Sequence, residues 1–194
     1  MGSLSTNGQR AKSSAPQRSS KQIGPVSEFA SLFEIFAPKV WSTLRRLGVS
    51  EADVEDLCQE VFMVVHRKLG EFEGRSSVST WIFSICVRTA SDYRRRAYRH
   101  RELTVSSPPE QATSDSTADE VETRQLREIL DAVLETLDPE WRAIFVLYEY
   151  EELSMREVAE AVGCPLQTAY SRYKSARNKV LDALEGALGA EDRP

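Results

Sequence analysis

Apolar side chains recur at three- and four-residue steps in two stretches of the chain, and between them lies a stretch with little to bury. In the first, Phe29, Leu32, Phe33, Phe36, Val40, Trp41, Leu44 and Leu47 fall on one side of a helix. That spacing predicts an amphipathic element with one face in a core. Gly48 is placed to end this helix, and Pro38 to bend it. Ser50 with Asp53 resembles a capping box, opening a second helix through Val54, Leu57, Val61, Val65 and Leu69. Residues 70–79 read as a loop, after which Ser79 or Thr80 caps a third helix carrying Trp81, Ile82, Ile85 and Val87 toward Arg101.

In the second stretch Leu126, Ile129, Leu130, Val133, Leu134 and Leu137 mark one helix. Asp138 followed by Pro139 is an N-cap with proline at the first helical position, opening a helix through Ile144, Phe145 and Tyr148. Ser154 and Glu157 form a further capping box ahead of Val158, Ala159 and Val162. Gly163 ends that short helix, and Pro165 starts the last one through Leu166, Ala169, Tyr173, Ala176, Val180 and Leu184. No segment alternates with period two over a useful length. The pattern predicts an all-α chain of two small helical domains, residues 27–101 and 121–188. A flexible linker, 102–120, joins them, with Pro108-Pro109 set among Ser, Thr and Asp. Residues 1–26, Ser-rich and without an acid, read as a disordered basic leader, and 189–194 as a tail.

Composition changes this picture only at a few points. With 194 residues, 41% of them hydrophobic and 28% charged, both domains can hold ordinary cores. No apolar run approaches the roughly 18 to 20 residues of a membrane span, and no secretory signal opens the chain, so it reads as cytoplasmic. Cys58, Cys86 and Cys164 are far apart in apolar contexts and read as buried small hydrophobes. With His66 and His100 the sole histidines, neither a metal nor a cofactor is expected. Gly-rich phosphate loops and nucleophile–base pairs are not visible, which argues against an enzyme.

The net charge of −5 speaks at first against nucleic acid, but the charge is segregated. Residues 110–160 hold 15 acids against four Arg, whereas 88–101 hold six Arg against Asp92 alone. Residues 161–181 carry Arg172, Lys174, Arg177 and Lys179 with no acid. Phosphate affinity follows local positive surface rather than the total.

Three candidate surfaces follow. Leu153–Lys179 has the plan of a helix-turn-helix, with Gln167, Thr168, Ser171, Arg172 and Ser175 able to face a major groove and Lys174, Arg177 and Lys179 suited to phosphates. An ordinary helical hairpin with a charged outer face is the bland alternative, and the acid-free stretch 161–181 weighs against it. Trp81, Tyr93 and Tyr98 beside Arg94, Arg95, Arg96, Arg99 and Arg101 combine rings for unstacked bases with cations for their phosphates. Trp81 itself is more readily a core residue. The loop 73–79, rich in small polar residues, suits a flipped base. Asp53, Glu55, Asp56 and Glu60, beside Leu57, Gln59 and Phe62, form an acidic helix face that would repel DNA and suits a basic protein partner, or is simply solvated.

These residues also carry a resemblance. Asp53-Val-Glu-Asp56-Leu57-Cys-Gln59-Glu60-Val61-Phe62 resembles the DxxDLxQExF signature of region 2 of sigma factors. Phe72-Glu-Gly74, then Thr80-Trp81-Ile82, then Thr89-Ala-x-Asp92-Tyr93-Arg94-Arg95 continue it in order. Leu137-Asp-Pro139, Leu153-Ser-x-x-Glu157-Val-Ala159 and Gly163-Cys-Pro165-x-x-Thr168-x-x-Ser171-Arg172 resemble region 4. With nothing but a linker between the blocks, the chain is similar to the extracytoplasmic-function (ECF) group of the sigma-70 family.

The resemblance implies that Asp53, Asp56, Leu57, Gln59, Glu60 and Phe62 dock on the β′ clamp of RNA polymerase core. It implies that Arg75, Ser76, Ser77, Ser79, Trp81, Arg88, Asp92, Tyr93, Arg95 and Arg96 open and read the −10 element as melted DNA. Gln167, Thr168, Tyr170, Ser171, Arg172, Lys174, Ser175 and Arg177 would read the −35 element as duplex, while region 4 also meets the β flap. An anti-sigma partner is further implied. Arg88 stands where the family commonly has Asn, and Tyr170 where it has Lys, which bears on the promoter sequence rather than on the class. The rival is a stand-alone duplex-binding regulator, which leaves the acidic helix and the Trp81–Arg101 helix without a task.

Overall fold

The structure, a computed structural model, describes residues 25–103 and 129–191. The expected leader up to residue 24, most of the expected linker, Leu126, and the last three residues of the tail lie outside the described residues. The side chains of His100 and of the outer arginines Arg99 and Arg101 lie outside them as well.

Every regular element described is helical. Helix α1 (Pro25–Arg46) continues through Pro38 and stops where Gly48 takes a φ of +92°, a left-handed conformation open to glycine. Helix α2 (Val54–Lys68) is followed by a 3-10 turn (Leu69–Glu71) and by α3 (Val78–Leu103). The second block holds helical residues 129–136 (α4), α5 (Pro139–Glu149), α6 (Met155–Val162) and α7 (Leu166–Glu191). The last helix thus runs beyond residue 188, where a tail was expected.

Two expected caps differ. Ser50 and Asp53 do not form a box: Ser50 Oγ donates to Asp53 Oδ2 at 2.6 Å, and Asp53 itself stands at the N-cap of α2 without a side-chain cap bond. The carboxylate is already engaged by other side chains, so it is not available to the helix end. The cap of α3 is Ser77, whose Oγ accepts from Thr80 N at 3.1 Å, two or three residues ahead of the expected Ser79 or Thr80. The caps of the second block stand as the sequence indicates. Asp138 accepts from Glu140 N at 3.0 Å ahead of Pro139, and Ser154 with Glu157 forms a complete box.

Most of the apolar periodicity becomes core, but Phe33, Trp41, Tyr148 and Leu166, expected on the buried faces, are exposed. Val40, Leu44, Leu47, Val61, Val65, Ile82, Phe83 and Cys86 close the first block, and Leu134, Ile144, Leu147, Val158, Ala169 and Ala176 the second. Cys86 is fully buried, whereas Cys58 and Cys164 are half-buried, and all are free thiols. The blocks also meet: α6 packs on α3, and α5 packs on α1 and α3. That is why Arg142 through Leu147 are buried without interruption, where a helix covered on one side would alternate.

Candidate nucleic-acid interface

The helix-turn-helix is assembled by local chemistry. The Ser154–Glu157 box fixes the start of α6, with Glu157 Oε2 accepting from Ser154 N at 3.0 Å and from Ser154 Oγ at 2.8 Å. Those bonds hold the Glu157 carboxyl below its usual pKa. Gly163, at a φ of +75°, lets its own N–H and that of Cys164 return to the Ala159 carbonyl at 2.9 and 3.0 Å. The chain then turns into α7, whose inner face buries Ala169, Ala176 and Val180.

On the outer face Gln167, Tyr170, Ser171, Lys174 and Arg177 are exposed, with Thr168 and Ser175 half-buried beside them. Arg172 is placed differently. It pairs with Glu140 of α5 at 2.5 Å and keeps 28% of its side chain exposed, so it braces α7 as well as edging its exposed polar face. Lys179 lies over the Trp141 ring, 4.8 Å from its centroid. Tyr173, which sequence reasoning placed only in the core, stacks beside Phe145 and donates to Glu149 Oε1; burial, first, and that carboxylate push its hydroxyl up to about 12.

The second surface is the loop before α3 and that helix's far half. Lys68, Glu71, Phe72, Glu73, Arg75, Ser76 and Trp81 line an open pocket of about 240 Å³. Trp81 is half-buried, its ring 4.9 Å from that of Phe72, so it walls this pocket from the core side. Lys68, Glu71 and Phe72 were not expected in it; the signal was the ring of Phe72 just ahead of the small-residue loop. Arg75 pairs with Glu73 at 2.7 Å, and Ser77 Oγ lies 2.9 Å from Ser79 Oγ.

Farther along α3, Arg88 and Tyr98 are exposed, Arg95 pairs with Asp92, and Arg96 reaches Glu60 of α2 at 3.6 Å. Tyr93 donates to Asp53 Oδ2 at 2.7 Å. Arg94, grouped by sequence with the phosphate-facing arginines, instead turns inward and donates to the Leu47 carbonyl past the end of α1. Burial lowers the pKa of its guanidinium.

The third surface is α2. Glu55, Asp56 and Gln59 are exposed, followed on the same side by Met63. Leu57 and Phe62 are 7% and 3% exposed and belong to the core beneath that face. The Ser50 hydroxyl, first, and then that of Tyr93 hold the Asp53 carboxyl below its usual range. The acidic and Arg-rich surfaces are therefore neighbours, tied by Arg96–Glu60 and Tyr93–Asp53.

Comparison with known proteins identifies the family of the two blocks. Residues 32–100 match the Sigma-70 region 2 family and residues 127–180 match Sigma-70, region 4. The ECF RNA polymerase sigma-E factor of Escherichia coli K12 is 30% identical over 178 residues, covering 82% of this chain and 87% of the relative. The chain belongs to the ECF sigma factors of the sigma-70 family.

The sigma-E factor of Haemophilus influenzae is 28% identical over 174 residues, covering 84% of this sigma factor and 91% of the relative. Among solved structures, the sigma factor RpoE in complex with the anti-sigma factor NepR from Bartonella quintana matches with a TM-score of 0.66. It has 21% identity and covers 81% of this chain and 97% of that one. CnrH in complex with the cytosolic domain of CnrY matches with a TM-score of 0.59, 22% identity, and coverage of 88% and 92%. Both share the fold. As an alternative sigma factor the protein directs RNA polymerase to specific promoters. None of its described helices is long and apolar enough to cross a membrane.

Proposed function

We propose that this sigma factor divides promoter recognition among its three surfaces. The α2 face of Glu55, Asp56, Gln59 and Met63 docks on a basic part of the polymerase core, the β′ clamp, with Leu57 and Phe62 holding it from below. The pocket at Phe72–Trp81 and the α3 side chains Arg88, Arg95 and Arg96 take the melted −10 strand. The outer face of α7 reads the −35 duplex: Gln167, Thr168, Tyr170, Ser171 and Ser175 meet base edges, and Lys174 and Arg177 meet phosphates. Arg172, braced by Glu140, sets the angle of that helix and contacts the backbone beside it.

The observation that carries this reading is the α7 face over residues 167–177, acid-free and exposed, on a helix that follows the fully capped α6 across the Gly163 turn. The site of action is the cytoplasm, and the polymerase supplies all the chemistry. Since RpoE and CnrH are each found with a protein partner, NepR and CnrY, an anti-sigma factor is proposed here too.

The test mixes the full chain with polymerase core and a promoter library and sequences the run-off transcripts. Transcripts sharing −35 and −10 elements are expected. Specific duplex binding by the free chain, without core binding or transcripts, would favour a stand-alone regulator.

A further inference from the structure

Leu166 and Tyr170 are the large apolar side chains that α7 leaves open at its start, 44% and 52% exposed. Four residues apart, they are neighbours one helical turn from each other and form a single apolar edge. Beside that edge runs a polar row, Gln167, Ser171 and Lys174, at steps of four and three, all exposed. The opposite side of the helix, with Ala169, Ala176 and Val180, lies in the core. The row from Gln167 to Lys174 is about 10 Å long at the helical rise, or about three base-pair steps of duplex.

Contacts between the two blocks leave this face uncovered. They run through Arg142, which donates from Nε to the Arg46 carbonyl, and through Thr43, which donates to Glu151. They also run through Glu157, which accepts from Ser77 and Thr80. None of these residues belongs to α7.

What the face can read follows from its donors and acceptors. Guanine is recognised in the major groove above all by an arginine that reaches O6 and N7 together. Between Leu166 and Lys174 the sole arginine is Arg172, and its guanidinium is committed to Glu140 at 2.5 Å. Lys174, a compact and strongly hydrated charge two turns into the helix, suits a phosphate. The cytosine amine is matched by a carboxylate, and residues 161–181 contain none. Ser171 can bond to any base and discriminates little.

The remaining groups are selective for one kind of pair. The Gln167 amide holds a donor and an acceptor side by side, the complement of adenine N7 and N6. The Tyr170 ring and the Leu166 side chain match the apolar group that the major groove displays, the thymine C5 methyl. A lone exposed apolar side chain is ordinary, but two adjoining ones at the start of an acid-free face are a contact surface. Lys174 and Arg177 flank it. A duplex brings phosphates for those cations and methyls for the apolar edge.

We infer that α7 selects A·T pairs in the −35 element: Gln167 takes an adenine, and Leu166 with Tyr170 takes the methyl of a thymine within a step or two of it. The inference rests on the assignment of α7 to the −35 duplex and adds the base chemistry to it. Discrimination resides in the first two turns of the helix, while Lys174 and Arg177 supply affinity that is blind to sequence.

The experiment combines the full chain, polymerase core and a barcoded promoter library randomised over the −35 region, and identifies the templates that are transcribed. Wild type is expected to select adenine and thymine at adjoining positions. Gln167→Ala should lose about tenfold of the preference at the adenine alone, the effect of one bidentate pair, and Tyr170→Ala should relax the thymine alone. On the selected promoter, 7-deazaadenine, which lacks N7, should reproduce the Gln167→Ala loss and cost that variant nothing further. Deoxyuridine in place of thymine removes one methyl and should lower wild-type yield about fourfold, with no effect on Tyr170→Ala.

A G·C pair selected at the position that responds to Gln167→Ala overturns the inference, as does equal wild-type yield from thymine and deoxyuridine templates. Loss of core binding by Tyr170→Ala, with the thymine preference intact, puts a protein on the apolar edge and overturns it too. Each of these results leaves α7 as the −35 reader, provided that the transcribed templates share a −35 sequence. Transcribed templates that share none sink that assignment itself.

Discussion

Helices α3 and α7 are each 26 residues long, and both carry basic residues, but they commit that charge in different ways. On α3 much of it is used within the fold: Arg94 secures the chain after α1, Arg95 answers Asp92, and Arg96 answers Glu60. On α7 Arg172 is braced by Glu140 and Lys179 rests on Trp141, while Lys174 and Arg177 lie on the exposed side among Gln, Thr, Tyr and Ser. A count of arginines thus overstates what α3 offers to DNA, and the mixed face of α7 is richer in chemistry than its charge suggests. On the proposed reading, recognition of a melted strand would lean on rings and a pocket, and recognition of duplex on short polar side chains held at a fixed angle.

The largest effect that would break this contrast is on stability. Arg94→Ala is expected to lower unfolding free energy by about 1–3 kcal/mol, because the Leu47 carbonyl loses its partner, whereas Arg95→Ala stays within about 0.5 kcal/mol. Denaturant titration of both variants checks this, and equal stabilities would return Arg94 to the DNA face. Next is Asp56→Arg, which is expected to weaken affinity for polymerase core by about tenfold by placing like charge against a basic partner. Duplex binding through α7 should be untouched, and unchanged core affinity would remove α2 from the docking surface.

Arg172→Ala is expected to reduce −35-dependent transcription several-fold with core binding intact. Its lost surface pair with Glu140 is worth only about 0–1 kcal/mol of stability. Loss of core binding in that variant would show that the surfaces are not separable. The smallest effect is at Asp53. Tyr93→Phe removes the lesser of the two hydrogen bonds that depress its pKa, so the carboxyl should titrate closer to 3.8, followed by NMR. The sign is that of a depressed acid: the stabilisation is present above the ordinary carboxylate pKa and is lost as pH falls through the folded value. The variant should therefore lose less stability on acidification than the parent.

Much of the architecture was legible because local rules agreed with one another. Gly48, Asp138-Pro139, the Ser154–Glu157 box and Gly163 each punctuate the chain where the apolar period stops. Arg94 was legible too, in retrospect: it continues the buried row Phe83, Cys86 and Ala90 at helical spacing, and an Arg at the end of such a row points inward. Ser50 and Asp53 misled because the same residue types that cap a helix also bond to each other and to a tyrosine 40 residues away. Arg142, Thr43 and Glu151 were beyond reach. Their partners lie 96 and 108 residues away, and no periodicity encodes a contact between blocks.

The Glu157 carboxylate divides its oxygens, Oε2 to the helix end it caps and Oε1 to two hydroxyls of the other block. In a genetic screen, changes at this codon would therefore be pleiotropic, disturbing duplex selection and strand opening together. Second-site suppressors would fall into two groups, one around Ser154 and one around Ser77 and Thr80. On the proposed assignment of the surfaces, the position would link the inheritance of two traits that the domain boundary would otherwise leave free to drift apart.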